Sequence, residues 1–229
     1  MQAIYLLLAV VIGFFPLDAA GNKERRTVGS VITASPAAPT IVIDPGHGGT
    51  DHGARCKSPY CEEKKLCLQT ARLLKKYLDQ LGYHVVMTRT TDAFIPLHRR
   101  VEIANQSTCN IFVSVHYNSS RVESAHGIEV FFHDSKEEKN RASSSRKLAD
   151  AILGKVIRRT SAQSRGVKKG NFLVIRETQM PAVLIEGGFL TNPEERVLVK
   201  SRDYQEKIAR GIADGIDSYF KARWKQASD

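Results

Sequence analysis

Three short apolar segments of this chain run directly into residues able to hold a metal or move a proton. TIVID (Thr40 to Asp44) leads into Pro45-Gly46-His47-Gly48-Gly49, NIFVSV (Asn110 to Val115) into His116-Tyr117-Asn118, and PAVLI (Pro181 to Ile185) into Glu186-Gly187-Gly188. Ligands of open α/β sheets bind beyond the carboxyl ends of strands, so three parallel strands would bring these clusters to one mouth.

Each residue has an ordinary alternative. His47 lies in a Gly-rich turn that folds tightly and leaves the imidazole room to face a ligand. The same turn could cradle a phosphate, but it lacks both the Walker Lys-Ser/Thr and the G-x-G-x-x-G spacing. His116 ends an apolar strand and shares a face with Ser114 and Asn118; a satisfied core histidine is the plain reading. Glu63 follows Glu62 at the start of a long helix, where an acid also offsets the helix dipole. Glu186 is harder to set aside, because a carboxylate between PAVLI and two glycines is poorly placed for solvent, and buried carboxylates need partners. Two imidazoles and one carboxylate form a common catalytic zinc set that leaves a position for water, and hydrolysis adds a second carboxylate beside that water. The other histidines (His52, His84, His98, His126 and His133) form no short paired motif, and HExxH is absent.

Positioning these residues requires a layered domain. Apolar residues at helical spacing run from Glu63 to Leu81, with Gly82 as the stop. YHVVMT (Tyr83 to Thr88), NIFVSV, GIEVFF (Gly127 to Phe132), NFLVIR (Asn171 to Arg176) and PAVLIE (Pro181 to Glu186) join TIVID as expected strands. Helices are expected at Leu97 to Asn105, about Ala142 to Arg159, from Asn192-Pro193-Glu194, and at Asp203 to Ala222. The alternation implies a single α/β domain, with a mostly parallel mixed sheet of about six strands and helices on both faces. The expected organisation is an export signal at 1–20, a linker at 21–39, the catalytic domain at 40–223 and a tail at 224–229.

Composition narrows the setting. The apolar stretch from Ala3 to Phe15 is shorter than the roughly 20 residues a spanning helix needs, so it reads as an export signal and the mature chain as lacking a transmembrane span. A formal charge of +10 favours an anionic partner. No aromatic-basic platform or helix-turn-helix pattern points to nucleic acid, and an anionic cell-wall polymer fits the exported compartment better. Cys56 and Cys61 flank KSPY in an expected loop, where an oxidising compartment could join them, while Cys67 and Cys109 read as core thiols.

From Thr40 to about Phe220 the chain resembles the zinc-dependent N-acetylmuramoyl-L-alanine amidases that remodel and divide bacterial cell walls. IVIDPGHGGTDHGA, EKKLCLQTARLLKKYL, VVMTRTTDAFIPLHRRVEIAN, FVSVHYNS and PAVLIEGGFLTN follow that family's motifs in order. The resemblance implies that one Zn2+ is held by His47, Glu63 and His116, and that Glu186 is the catalytic carboxylate. It also implies peptidoglycan or muropeptides as substrate, a periplasmic or cell-wall location, and scope for a periplasmic activator or divisome partner. Arg100 and Asn118 match positions around the cleft. Asp44 is expected either to orient His47 or to bond within the turn. His52 stands where the family often has proline, and Ala54 to Glu62 carries charges and cysteines where a Gly-rich loop is usual. Fewer than sixty residues separate His133 from Glu186, so no self-blocking helix is expected. Ser144-x-x-Lys147 also fits the S-x-x-K pattern of penicillin-binding proteins, with Lys168-Lys169-Gly170 a faint echo of K-T-G, which raises a second, serine-based D,D-carboxypeptidase site. The third reading is a non-catalytic peptidoglycan-binding module.

Overall fold

Apolar β-branched runs form the centre of the sheet because both of its faces are covered. The computed structural model describes residues 38–58 and 60–228. The expected export signal and nearly all of the tether fall outside the described residues. In chain order the elements are β1 (Thr40–Pro45), β2 (Arg55–Lys57), β3 (Tyr60–Glu62), α1 (Glu63–Gln80), β4 (His84–Met87), α2 (Leu97–Gln106), β5 (Ile111–Asn118) and β6 (Ile128–Phe132). They continue with α3 (Lys139–Thr160), β7 (Ser164–Lys169), α4 (Leu173–Arg176), β8 (Ala182–Phe189), α5 (Pro193–Lys200) and α6 (Arg202–Ser228). The six-stranded sheet has the order β4-β1-β5-β8-β6-β7. Only the β6–β8 pairing is antiparallel, so the sheet is mixed and mostly parallel.

Alternation along the central strands sorts the core into two layers. Ile41, Ile43, Val113, Val115, Val183 and Ile185 pack with α1, α3 and α6 on one face. Val42, Phe112, Ala182 and Leu184 pack with the shorter α2 and α4 on the other. By that alternation His116 and Glu186 share the second face, at the strand ends beyond α2 and α4. Among the described residues, no helix is long and apolar enough to cross a membrane.

Three expectations need correction. NFLVIR is not a strand: Leu173–Arg176 is a single helical turn whose Val174 and Ile175 fill the second core layer. The strand is instead Ser164–Lys169, an edge strand paired with β6 alone, which is why its sequence is polar. The last helix continues to Ser228, through most of the expected tail. Lys57 and Tyr60, expected in a loop, pair instead in a two-stranded hairpin, β2 with β3, in which Cys56 and Cys61 form a disulfide. Cys67 and Cys109 are free and buried.

The α3–α6 contact is close enough to exclude even a methyl group. A Cβ added at Gly211 would lie 2.6 Å from the Val156 Cα, and one at Gly215 would lie 2.5 Å from the Ile152 Cα. Alanine is favoured over glycine inside a helix by about 1 kcal/mol. Forcing an atom against a neighbouring backbone costs about 1–3 kcal/mol, so the steric effect should win. The net cost of up to about 2 kcal/mol means that Gly215→Ala should lower the thermal midpoint by up to about 8 °C, as read by circular dichroism; a higher midpoint would mean that the two helices do not meet there.

Candidate active site

His47 follows β1, His116 lies near the end of β5, and Glu63 opens α1, so three elements contribute one side chain each. The Glu63 Oε1 atom lies 2.9 Å from His47 Nε2 and 3.0 Å from His116 Nδ1. One ligand atom from each of the three residues falls within 4.8 Å of the others, a group that could hold a metal ion. The two imidazoles meet edge to face at 77°.

Backbone demands explain the glycines around them. A Cβ on Gly46 would stand 2.3 Å from the His116 ring, and one on Gly53 would stand 2.6 Å from both Glu63 Oε2 and His47 Cδ2. His47 itself is left-handed, with φ of 58°, a conformation that costs a non-glycine residue energy and persists only where the surroundings enforce it. Those surroundings are three buried cations. Arg100 donates to the carbonyls of Pro45 and His47, Arg89 to those of Pro45 and Gly46, and Lys64 to that of Gly49.

Asp44 is spent on this scaffold. Its carboxylate accepts from Thr88 Oγ1 at 2.6 Å, Arg100 at 2.8 Å and Ser114 Oγ at 2.8 Å. Burial opposes its ionisation, yet Arg100 and Thr88 hold the pKa below the usual value. None of these partners lies in the turn and none is His47; Asp44 meets the turn through Arg100, which donates to the carbonyls of Pro45 and His47. The carboxylate on His47 Nδ1 is Asp51, at 2.9 Å. Arg100, expected at the cleft, is buried beneath it and reaches His47 only through the backbone.

The adjacent acids divide their work. Lys65, with further bonds from Tyr60 and His52, holds the Glu62 carboxyl down to about 2 and commits it to the β2–β3 side. Glu63 turns to the histidines, and its oxygens also accept from the backbone N–H groups of Ala54 and Tyr117. Burial alone would push the Glu63 pKa up; His116 and His47 outweigh it and hold the carboxyl well below its normal range.

Glu186 pairs with His116 across β5 and β8 and with Glu129 across β8 and β6. Its Oε2 is buried without a hydrogen-bond partner. Burial, with the negative charges of Glu63 and Glu129, raises its pKa well above that of an ordinary carboxyl. An orphaned buried oxygen in a mouth of polar groups is a group waiting for a ligand or a water.

Asn118 donates to Glu129 Oε1 at 2.8 Å, beside the triad and not within it. Ser144 is half-buried and Lys147 exposed in a groove of about 340 Å³ between α3 and α6, whose lining includes none of His47, Glu63, His116 or Glu186. Lys168 and Lys169 are ion-paired elsewhere, to Glu129 and Asp134. Sequence reasoning missed Asp51, Arg89 and Glu129; of these only Glu129, a lone charge inside GIEVFF, carries a visible signal.

Residues 41–218 match the family model described as N-acetylmuramoyl-L-alanine amidase. The crystal structure of an N-acetylmuramoyl-L-alanine amidase from Clostridium difficile 630 is similar at 37% identity and a TM-score of 0.76, covering 81% of this chain and 98% of that one. CwlD amidase from Clostridioides difficile, solved in complex with the GerS lipoprotein, is similar at 31% identity and a TM-score of 0.74, covering 80% of this chain and 99% of CwlD. The probable cell wall amidase LytH of Staphylococcus epidermidis is 33% identical over 184 residues, which are 80% of this chain and 59% of LytH. The motifs that end β1, β5 and β8, the fold that gathers them and these likenesses agree: the chain belongs to the N-acetylmuramoyl-L-alanine amidase family.

Proposed function

We propose that the chain is a zinc-dependent hydrolase that cleaves the amide between the lactyl group of N-acetylmuramic acid and the L-alanine of the peptidoglycan stem. The observation that carries this reading is the His47–Glu63–His116 cluster, its donor atoms within 4.8 Å of one another, beside the unpartnered Glu186 oxygen. Two imidazoles and a carboxylate suit zinc, which takes nitrogen and oxygen ligands and in catalytic sites keeps a position open. Bound there, zinc would supply Lewis-acid chemistry, acidifying water to a pKa of about 7 and polarising the scissile carbonyl.

The chain's own residues supply the rest. Asp51 orients His47 through Nδ1 and leaves Nε2 for the metal side, a pairing that raises imidazole basicity. Ala54 N–H and Tyr117 N–H fix the Glu63 carboxylate before any ion arrives. Glu186 takes the proton of the attacking water and passes it to the leaving L-alanine nitrogen as the C–N bond breaks. Burial, with the negative charges of Glu63 and Glu129, favours its protonated form, the state from which it hands the proton on. The products are a peptide-free muramic acid and a stem peptide with a new amino terminus.

The setting follows from the substrate. We place the protein outside the cytoplasm, at the cell wall or in the periplasm, exported by its N-terminal apolar segment. The capture of CwlD with a lipoprotein supports an activator or scaffold for this chain as well.

Mass spectrometry of muropeptides treated with the protein should show that product pair. Glu186→Gln should lower the turnover by about 10²–10⁴-fold while zinc content stays at one per chain; full activity in that variant would remove Glu186 from the chemistry. Asp51→Asn should weaken zinc binding by about 10–100-fold in competition with a chromophoric chelator, and an unchanged affinity would show that Asp51 does not support His47.

A further inference from the structure

The mouth of the sheet continues past Glu186 onto β6 and β7. Glu129 sits opposite Glu186 in register, and its Oε2 accepts from Arg165 Nε at 2.8 Å and from Lys168 Nζ at 2.5 Å, while Oε1 accepts from Asn118. Two cations thus share one carboxylate, which leaves a positive charge beside the proposed catalytic group. Burial works against ionisation of Glu129, but Lys168 and Arg165 keep it charged, so the imbalance persists at neutral pH. The Arg165 guanidinium also lies over the Phe189 ring, 4.8 Å from its centroid, and donates to the carbonyl of His126. These contacts hold it in place. Both cationic side chains still reach solvent, at 31% and 38% exposure.

On the opposite flank the exposed groups are carboxylates, while the cations Lys64, Arg89 and Arg100 lie buried beneath them. Asp51 and Asp92 stand about half exposed beside the turn after β1, with His47 and Lys64 as their partners. A substrate lying across the mouth therefore meets carboxylates on the β1–β4 side and cations on the β6–β7 side. The stem peptide is anionic beyond its first alanine, so its charge dictates which way it lies. β7 lies two strand spacings, about 10 Å, from β8. Two residues of extended chain reach about 7 Å, and the long Arg and Lys side chains span the remainder.

We propose that Arg165 and Lys168 form a subsite for a free carboxylate of the stem peptide, held ready by Glu129 and directing the peptide toward β7 and the glycan toward β4. This rests on the amidase reading above. Charge-assisted donors of this kind, with a guanidinium among them, discriminate strongly between a carboxylate and its amide.

The test compares two N-acetylmuramoyl tripeptides, one with a free α-carboxylate on its second residue and one amidated there. The wild-type protein should favour the acid by about tenfold or more in kcat/KM. In Lys168→Gln and in Arg165→Gln that ratio should fall toward one, with zinc content measured as the control for folding. A wild-type ratio near one, or a ratio unchanged in both variants, would overturn the subsite. If the wild type cleaves neither compound, the amidase reading falls. Calorimetry with the free stem tripeptide and its amide then decides the subsite independently, with tighter binding of the acid supporting it and equal affinities overturning it.

Discussion

A single carboxylate oxygen, Glu63 Oε1, lies within 3.0 Å of two imidazole nitrogens, and the rest of the fold serves to keep it there. Burying a carboxylate is costly unless every lone pair finds a partner. Here the partners come from three directions: Ala54 N–H from the segment before the β2–β3 hairpin, Tyr117 N–H from β5, and the histidines from the ends of β1 and β5. Parallel pairing of those two strands, with Pro45 opposite Val115, sets the separation between His47 and His116. No local sequence preference could fix that distance.

A second layer makes the first possible. The turn from Pro45 to Gly49 points several carbonyls inward and forces His47 into a left-handed conformation, so it would relax without external bonds. Arg89, Arg100 and Lys64 supply those bonds, and Asp44 balances Arg100 from within. The charge that a composition count assigns to the surface is partly invested here, in buried cations that solvate backbone. The exposed charges differ across the mouth, with Asp51 and Asp92 beside β1 and Arg165 and Lys168 on β7.

Much of this was legible in the chain because it was written locally. The apolar runs of β1, β5 and β8, the helical spacing of α1, and the Asn192-Pro193 start of α5, where the Asn192 side chain caps Glu194 N–H and Glu195 N–H, are short-range signals. NFLVIR misled because aromatic and β-branched residues suit a strand equally well. Phe172 to Ile175 instead turns back to pack Val174 and Ile175 into the α2–α4 layer, while the true strand, SRGVKK, has one neighbour and needs no apolar run. Asp51 escaped notice because the bond to His47 depends on how the glycine turn closes, through Gly48 and Asp51 backbone pairing. Asp44 suggested itself for that role by proximity in sequence, but its side chain leaves on the side of Thr88 and Ser114.

Everything proposed for the site requires that His47, Glu63 and His116 close on one ion. X-ray absorption at the zinc edge on the purified protein addresses it most directly. The spectrum should show about one zinc per chain, with two imidazole nitrogens and a carboxylate oxygen at about 2.0–2.2 Å, and His116→Ala should lose one imidazole from that shell. A zinc environment dominated by sulfur, or one unchanged when His116 is removed, would contradict it.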